Sequence, residues 1–170
     1  MKKAPLPHDV LPPVPSFTLT SDDVTDGGTL ADAQVYDSWG HSGGNISPQL
    51  SWSGFPEETQ SFAITVYDPD APTGSGFWHW LLWDVPSSVT SLDAGADAGK
   101  IGLQGRNDYG DNAFGGAGPP EGQTHRYVFA VHALDTAALG VGPDAPTGQI
   151  GFMITAHTIA RAVIVATYGT

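Results

Sequence analysis

The sequence predicts a mostly-β single domain that carries one C-terminal helix and few peripheral helical turns. Three observations lead there. The runs 61–68, 77–85 and 124–134 are rich in the aromatic and β-branched residues that pack well on a pleated surface. Gly 22 and Pro 14 exceed average usage, so turns are frequent. Only residues 144–161 space their apolar side chains at convincing helical intervals. A chain of 170 residues supports one hydrophobic core and is short for two.

The first fifteen residues hold Pro5, Pro7, Pro12, Pro13 and Pro15, which predicts an extended segment without regular structure ahead of a domain spanning 16–170. Residues 16–20 alternate apolar and polar side chains and read as a first strand; Asp26-Gly27 is the expected hairpin tip. Asn45 to Trp52 leads into another short strand, closed by Gly54 and Pro56. In 61–68, Phe62, Ile64, Val66 and Asp68 share one face, so a carboxylate ends an apolar row, where it is costly unless satisfied. In 77–85, simple alternation puts His79 with Phe77, Leu81 and Trp83. The other face (Trp78, Trp80, Leu82) is as apolar, so this strand should be central.

Residues 87–99 are small residues and aspartates, a surface connection with one helical turn, and 105–110 is a turn cluster. In 124–134, His125, Tyr127, Phe129 and Val131 share a face. The helix of 144–161 would be capped by Asp144 or Thr147 and carries Ile150, Met153, Ile154 and His157; residues 162–168 form a last strand.

Charge narrows the function classes. Six Lys and Arg against eighteen Asp and Glu give a net charge of −12, which repels nucleic acid and anionic membranes. Neither a nucleic-acid partner nor stable membrane insertion is expected. No cysteine is present, so disulfides, thiolate nucleophiles and Cys-type zinc sites are excluded. Lys2 and Lys3 are not followed by an apolar signal core, and the reading is cytoplasmic. No lysine follows a glycine run as in a phosphate-binding loop, and Gly115 to Gly118 opens no βαβ unit. The Asp and His residues include no close-spaced ligand pair, so neither a metal nor another cofactor is expected.

Two stretches concentrate the chemistry. Asp68-Pro-Asp-Ala-Pro72 runs into Gly76-Phe-Trp-His79-Trp80, and Gly115 to Pro120 runs into His125-Arg-Tyr127. Loops of this kind present backbone N–H groups and fixed polar side chains, and the two stretches are expected to converge on one small pocket. A carboxylate there can fix an imidazole's tautomer and favour its protonated form, which pairs with an anion. Gly116 to Gly118 would add backbone donors, with glycine needed for close approach and positive φ, and Tyr127 a hydroxyl. Pro72 and Pro120 stiffen the rims, and a cis Ala71–Pro72 bond would suit so tight a turn. His8, His41, His132 and His157 read as structural.

These motifs, in this order from about Phe17 to Tyr168, resemble the phosphatidylethanolamine-binding protein (PEBP) family in its bacterial, Raf-kinase-inhibitor-like branch. The resemblance implies a PEBP-like β-sandwich core with a small anion pocket lined by Asp68, Asp70, His79, Gly116, Gly118, Pro120, His125 and Tyr127. It implies a binding protein for a small anion or phosphorylated headgroup, a regulator or inhibitor of a kinase or protease, and a homodimer. The alternative is a hydrolase-type enzyme using the Asp/His pairs for acid–base chemistry. Against it, Ser75 is the nearest nucleophile and lacks a strand-turn-helix elbow.

Overall fold

The computed structural model describes residues 3–170; Met1 and Lys2, at the start of the predicted extended segment, lie outside the described residues. The β-branched and aromatic runs form the large sheet: β3 (Ser61–Asp68), β4 (Phe77–Pro86), β6 (Leu103–Gln104), β7 (Thr124–Leu134) and β8 (Thr158–Gly169). Its order is β6-β4-β3-β7-β8, and every pairing is antiparallel. A small antiparallel sheet of β1 (Thr18–Thr20), β2 (Leu50–Ser53) and β5 (Ser91–Leu92) packs over it.

Alternation sorts the side chains into two cores. Leu50 and Trp52 from β2 meet Phe62, Ile64, Val66, Phe129, Val131 and Ile164 between the sheets. The opposite face of the large sheet presents Ala63, Leu81, Trp83 and Leu134 to Ile150 and Ile154 of α2 (Thr147–His157). Each buried large side chain contributes about 1.5–3 kcal/mol, so both faces of β3 and β4 are fixed by packing.

Simple alternation fails in β4, and the failure builds the site. Val66 pairs with Trp80 but Tyr67 pairs with Trp78, so His79 is the extra residue of a β-bulge. Trp80 and Leu82 therefore join the inter-sheet core while Leu81 and Trp83 lie under the helix. His79 does not share their face as expected; its ring lies 5.2 Å from Tyr127 and 5.0 Å from Phe77. A second shift, between Phe62 and Ile64, brings Asp84 to φ 55, with its carboxylate accepting the Leu139 N–H at 2.9 Å. β4 is flanked on one side by β3. On the other, two-residue β6 is supplemented by the Gly105, Asp108 and Gly115 amides, which donate to the Leu81, Trp78 and His79 carbonyls.

The predicted helix runs too far. It ends at His157, and β8 begins at Thr158, so Arg161 is a strand residue. Thr158, Ile159, Val163, Ile164 and Val165 are β-branched, and the ladder with β7 outweighs helical continuation. Pro146 occupies the N-cap and neither Asp144 nor Thr147 caps with its side chain. The proline-rich segment is not wholly extended: Pro7–Val10 make one turn, α1, with proline in the first turn. Asp26-Gly27 is a turn but no hairpin tip; Gly27 N–H donates to the Val165 carbonyl and Asp26 accepts from the Val165 amide, tying the turn to β8. The expected helical turn of 87–99 is a 3-10 turn at Ala98–Lys100. Among the described residues no helix is long and apolar enough to cross a membrane.

Candidate functional site

The site lies where β3 ends, beside the bulge of β4 and the start of β7. Asp68 ends β3 on the core-facing side and is 3% exposed. Both its oxygens are used: Oδ2 accepts from His125 Nδ1 at 2.7 Å and Oδ1 from the Asp70 amide at 2.8 Å. Burial pushes the Asp68 carboxyl up, and the hydrogen bonds from His125 and Asp70 oppose that. The carboxylate thus fixes the His125 ring, whose Nε2 meets Gln123 Oε1 at 2.8 Å.

His79, 2% exposed, pairs with no carboxylate among the described residues. Its Nδ1–H donates to the Gly115 and Gly116 carbonyls at 2.9 and 3.1 Å. Burial pushes its pKa down to about 4 against those hydrogen bonds, and nearby His125 lowers it further. A neutral ring with Nδ1 protonated leaves Nε2 as a lone-pair acceptor, with no protein partner among the described residues. The protonated imidazole expected beside a carboxylate in the pocket is therefore not His79, whose ring is neutral.

Tyr127 packs edge-on against His79, and its hydroxyl is buried without a hydrogen-bond partner; the Gly118 amide approaches it without closing a bond. Burial raises the phenol pKa, so this oxygen stays a donor at neutral pH. Tyr109, Tyr36 and Trp39 were not anticipated in the site. Tyr109 stacks on Tyr36 at 3.7 Å, lies 5.5 Å from His79 and donates to the Gly116 carbonyl at 2.9 Å. Trp39, 67% exposed with φ 54, stands edge-on to both tyrosines at the rim. The signal was present as aromatics in turn-rich stretches, but sequence gave them no partner.

The glycine loop works differently from the expected nest. Gly115 to Gly118 have no positive φ, and the Gly116 N–H is spent on Asn45 Oδ1 at 2.7 Å. Glycine is needed at 116 for close approach alone: a Cβ there would meet the backbones of Gln34, Val35 and Tyr36 at 2.5–2.6 Å. Pro120 is exposed, and its carbonyl accepts from the Gln123 amide and Thr170. The Ala71–Pro72 bond is trans, since no cis peptide occurs among the described residues.

Asp68, His79, Gly116, Gly118, His125 and Tyr127 thus come together, whereas Asp70 turns to the other face. There it accepts from Arg126 Nη2, Nε and backbone N–H at 2.6, 2.8 and 2.9 Å. Burial alone would raise the Asp70 carboxyl; the Arg126 hydrogen bonds outweigh it and hold the pKa below the ordinary value. Arg126 Nη2 also donates to the Ala4 carbonyl at 2.7 Å, anchoring the N-terminal segment. Arg126→Met should cost about 2 kcal/mol, since it leaves a mostly buried carboxylate unpaired. The Leu11 amide, which closes α1 on Pro7, should exchange faster. Unaltered exchange at Leu11 would show that the ion pair does not hold this segment. His132 and His157 have structural partners, Thr65 with Arg161 and Asp135 respectively. No cluster of three or more His, Asp or Glu suited to a metal occurs among the described residues.

Comparison with known proteins agrees with this architecture. Residues 20–169 match the family model described as phosphatidylethanolamine-binding protein. The chain is 47% identical to YbcL of Escherichia coli (strain K12) over 160 residues, 90% of this chain and 87% of that protein. It is 43% identical to YbhB of the same organism over 155 residues, 88% of this chain and 98% of that one. The crystal structure of E. coli YbcL, described as a new member of the mammalian PEBP family, matches with a TM-score of 0.87 at 45% identity. That match covers 91% of this chain and 99% of the other.

Proposed function

The chain belongs to the phosphatidylethanolamine-binding protein family, and from that premise we propose that it holds a small phosphate-bearing anion, free or as a phosphorylated headgroup, at the Asp68–His125–His79–Tyr127 cluster. The observation that carries the reading is the Tyr127 hydroxyl, buried and, among the described residues, without an acceptor, beside a histidine whose Nε2 has no donor among them. An unsatisfied buried hydroxyl costs about 1–3 kcal/mol, so a ligand oxygen that accepts from it recovers that penalty.

The two loose ends are of opposite kind. Tyr127 offers a proton and neutral His79 offers a lone pair, so a phosphate that still carries one proton satisfies both: P–O⁻ accepts from the phenol and P–OH donates to Nε2. His125, held by Asp68, supplies the adjoining polar edge, and Tyr109 and Phe77 wall the site. Asp70 has no contact role in this proposal, because both its oxygens serve Arg126. Acid–base hydrolysis is the weaker reading: Ser75, the nearest nucleophile in the sequence, offers its backbone carbonyl to Tyr67 in an exposed loop.

Titration calorimetry with inorganic phosphate and with phosphoethanolamine tests this reading. Tyr127→Phe should weaken both by about tenfold or more, the loss of one charge-assisted hydrogen bond. It should leave stability unchanged or raise it, because an unpaired buried hydroxyl is removed. Equal affinity in wild type, Tyr127→Phe and His79→Ala would overturn the assignment. A phosphoethanolamine affinity well above that of phosphate identifies the headgroup as the ligand; equal affinities identify the free anion.

A further inference from the structure

We infer that the cavity on the helix-covered face of the large sheet is a second ligand site, for a singly charged carboxylate bearing an apolar chain, with Arg161 as its anchor. Arg161 faces away from the inter-sheet core, on the opposite side of β7 and β8 from His125 and Tyr127, and is 7% exposed. Its single side-chain hydrogen bond among the described residues runs from Nε–H to His132 Nδ1 at 3.3 Å. That imidazole is itself buried and neutral, with Nε2–H directed to Thr65 Oγ1 at 2.9 Å. No carboxylate pairs with Arg161 among the described residues, in contrast to Arg126 on the same face.

A buried guanidinium without a counter-charge is costly, and burial lowers the Arg161 pKa with no neighbouring carboxylate opposing it. The guanidinium lines a cavity of about 50 Å³, which holds a head of carboxylate size, given the roughly 10–15 Å³ that one water requires. His8 lines the same cavity, and its Nδ1 is buried without a partner. Arg161 therefore lines this space without a counter-charge, and His8 adds a second polar ring to its wall.

The cavity adjoins a larger groove. The two share Pro7, Leu11, Tyr67, Trp78, Gly151 and Thr155, and the groove encloses about 720 Å³ between the N-terminal segment, the 69–76 loop and α2. Its walls are apolar, and Val10 and Phe152 on them are 66% and 72% exposed. A polar end with one cation, opening into an apolar trough, fits an amphiphile with its head inward. One positive charge balances one negative charge, so a carboxylate fits better than a phosphate dianion in a chain of net charge −12. A carboxylate also matches the planar guanidinium fork.

Titration calorimetry with octanoate is the test, with acetate, 1-octanol and inorganic phosphate as comparison probes. One octanoate per chain should bind, and acetate, lacking the tail, and 1-octanol, lacking the charge, should each bind about tenfold weaker or less. Arg161→Met should weaken octanoate by a similar factor. Gly151→Leu, where a Cβ sits 3.6 Å from Trp78 without a clash, should block the throat between the cavities. That variant reads the site even if Arg161→Met fails to fold. Tyr127→Phe should leave octanoate binding unchanged, which separates this site from the first. The proposal is overturned if octanoate does not bind at millimolar concentration, if 1-octanol binds as tightly, if Gly151→Leu binds as well as wild type, or if phosphate competes.

Discussion

Lowering the pH from 7 to 5 will destabilise the fold by about 3 kcal/mol, because two buried histidines are held neutral. His79 is pushed down to about 4 by burial, with nearby His125 contributing, and His132 to about 3 by burial and the Arg161 charge. Both values lie below the ordinary 6.5, so in the window from about 6.5 to about 4 the unfolded chain binds protons that the native state refuses. Stability therefore falls as pH falls through that window, by up to about 1.4 kcal/mol per pH unit for each ring. Asp68 works the other way. Burial raises its pKa, so the native state takes up its proton before the unfolded chain does, and this offsets part of the loss in acid. Urea denaturation at the two pH values measures the difference, and His132→Gln should remove about half of it. Equal stabilities at pH 7 and 5 would mean that neither imidazole is held neutral by the fold.

These two histidines also show how far the sequence could be read. The strands at 61–68 and 124–134 match their predicted limits, because alternation and β-branched content are local properties written in consecutive residues. His125, Tyr127, Phe129 and Val131 do share a face, since β7 is regular until its pairing shifts at Leu134. β4 resisted the same reasoning. A bulge inserts one residue and reverses parity beyond it, and nothing in Phe77 to Trp83 marks where that happens. The helix limit was missed for a related reason: Ile150, Met153 and Ile154 fit a helix, but whether Thr158 onward continues it depends on the ladder with β7.

The candidate site was legible as a set of residues and much less as a set of roles. The sequence brings Asp68 and His125 together through the order of the strands, yet gives no sign that Asp70, two residues on, faces the opposite side. Alternation in β7 places His125 and Arg126 on opposite faces, and the turn after Asp68 delivers one aspartate to each. Arg161 was invisible as an unpaired cation, because a missing counter-charge is a property of the whole fold. The Gly115–Gly118 stretch was recognised as a loop, but the demand for glycine at 116 comes from chain about eighty residues earlier.

That demand gives the second large effect. Gly116→Ala should destabilise the protein by about 3 kcal/mol, at the upper end of overpacking costs. The added methyl would meet the Val35 carbonyl carbon at 2.5 Å and the Gln34 oxygen and Tyr36 nitrogen at 2.6 Å, all backbone atoms. Neither segment has room to yield. Tyr36 N–H donates to the Ala117 carbonyl, Ala117 N–H to the Gln34 carbonyl, and Gly116 N–H to Asn45. Gly142→Ala is the control, since nothing lies within 4 Å of a Cβ there and its φ is ordinary; it should be close to neutral. The two substitutions differ further in their response to acid. Displacing the loop admits water to the His79 ring, and relief of the burial that dominates the shift moves its pKa back toward the ordinary value. This outweighs the loss of the Gly115 and Gly116 carbonyls, whose hydrogen bonds had favoured the protonated ring. The pH 7 to 5 difference should then shrink by about half in Gly116→Ala and stay whole in Gly142→Ala. If Gly116→Ala were as stable as Gly142→Ala, the loop would be free to shift, and the close approach would not be what fixes His79.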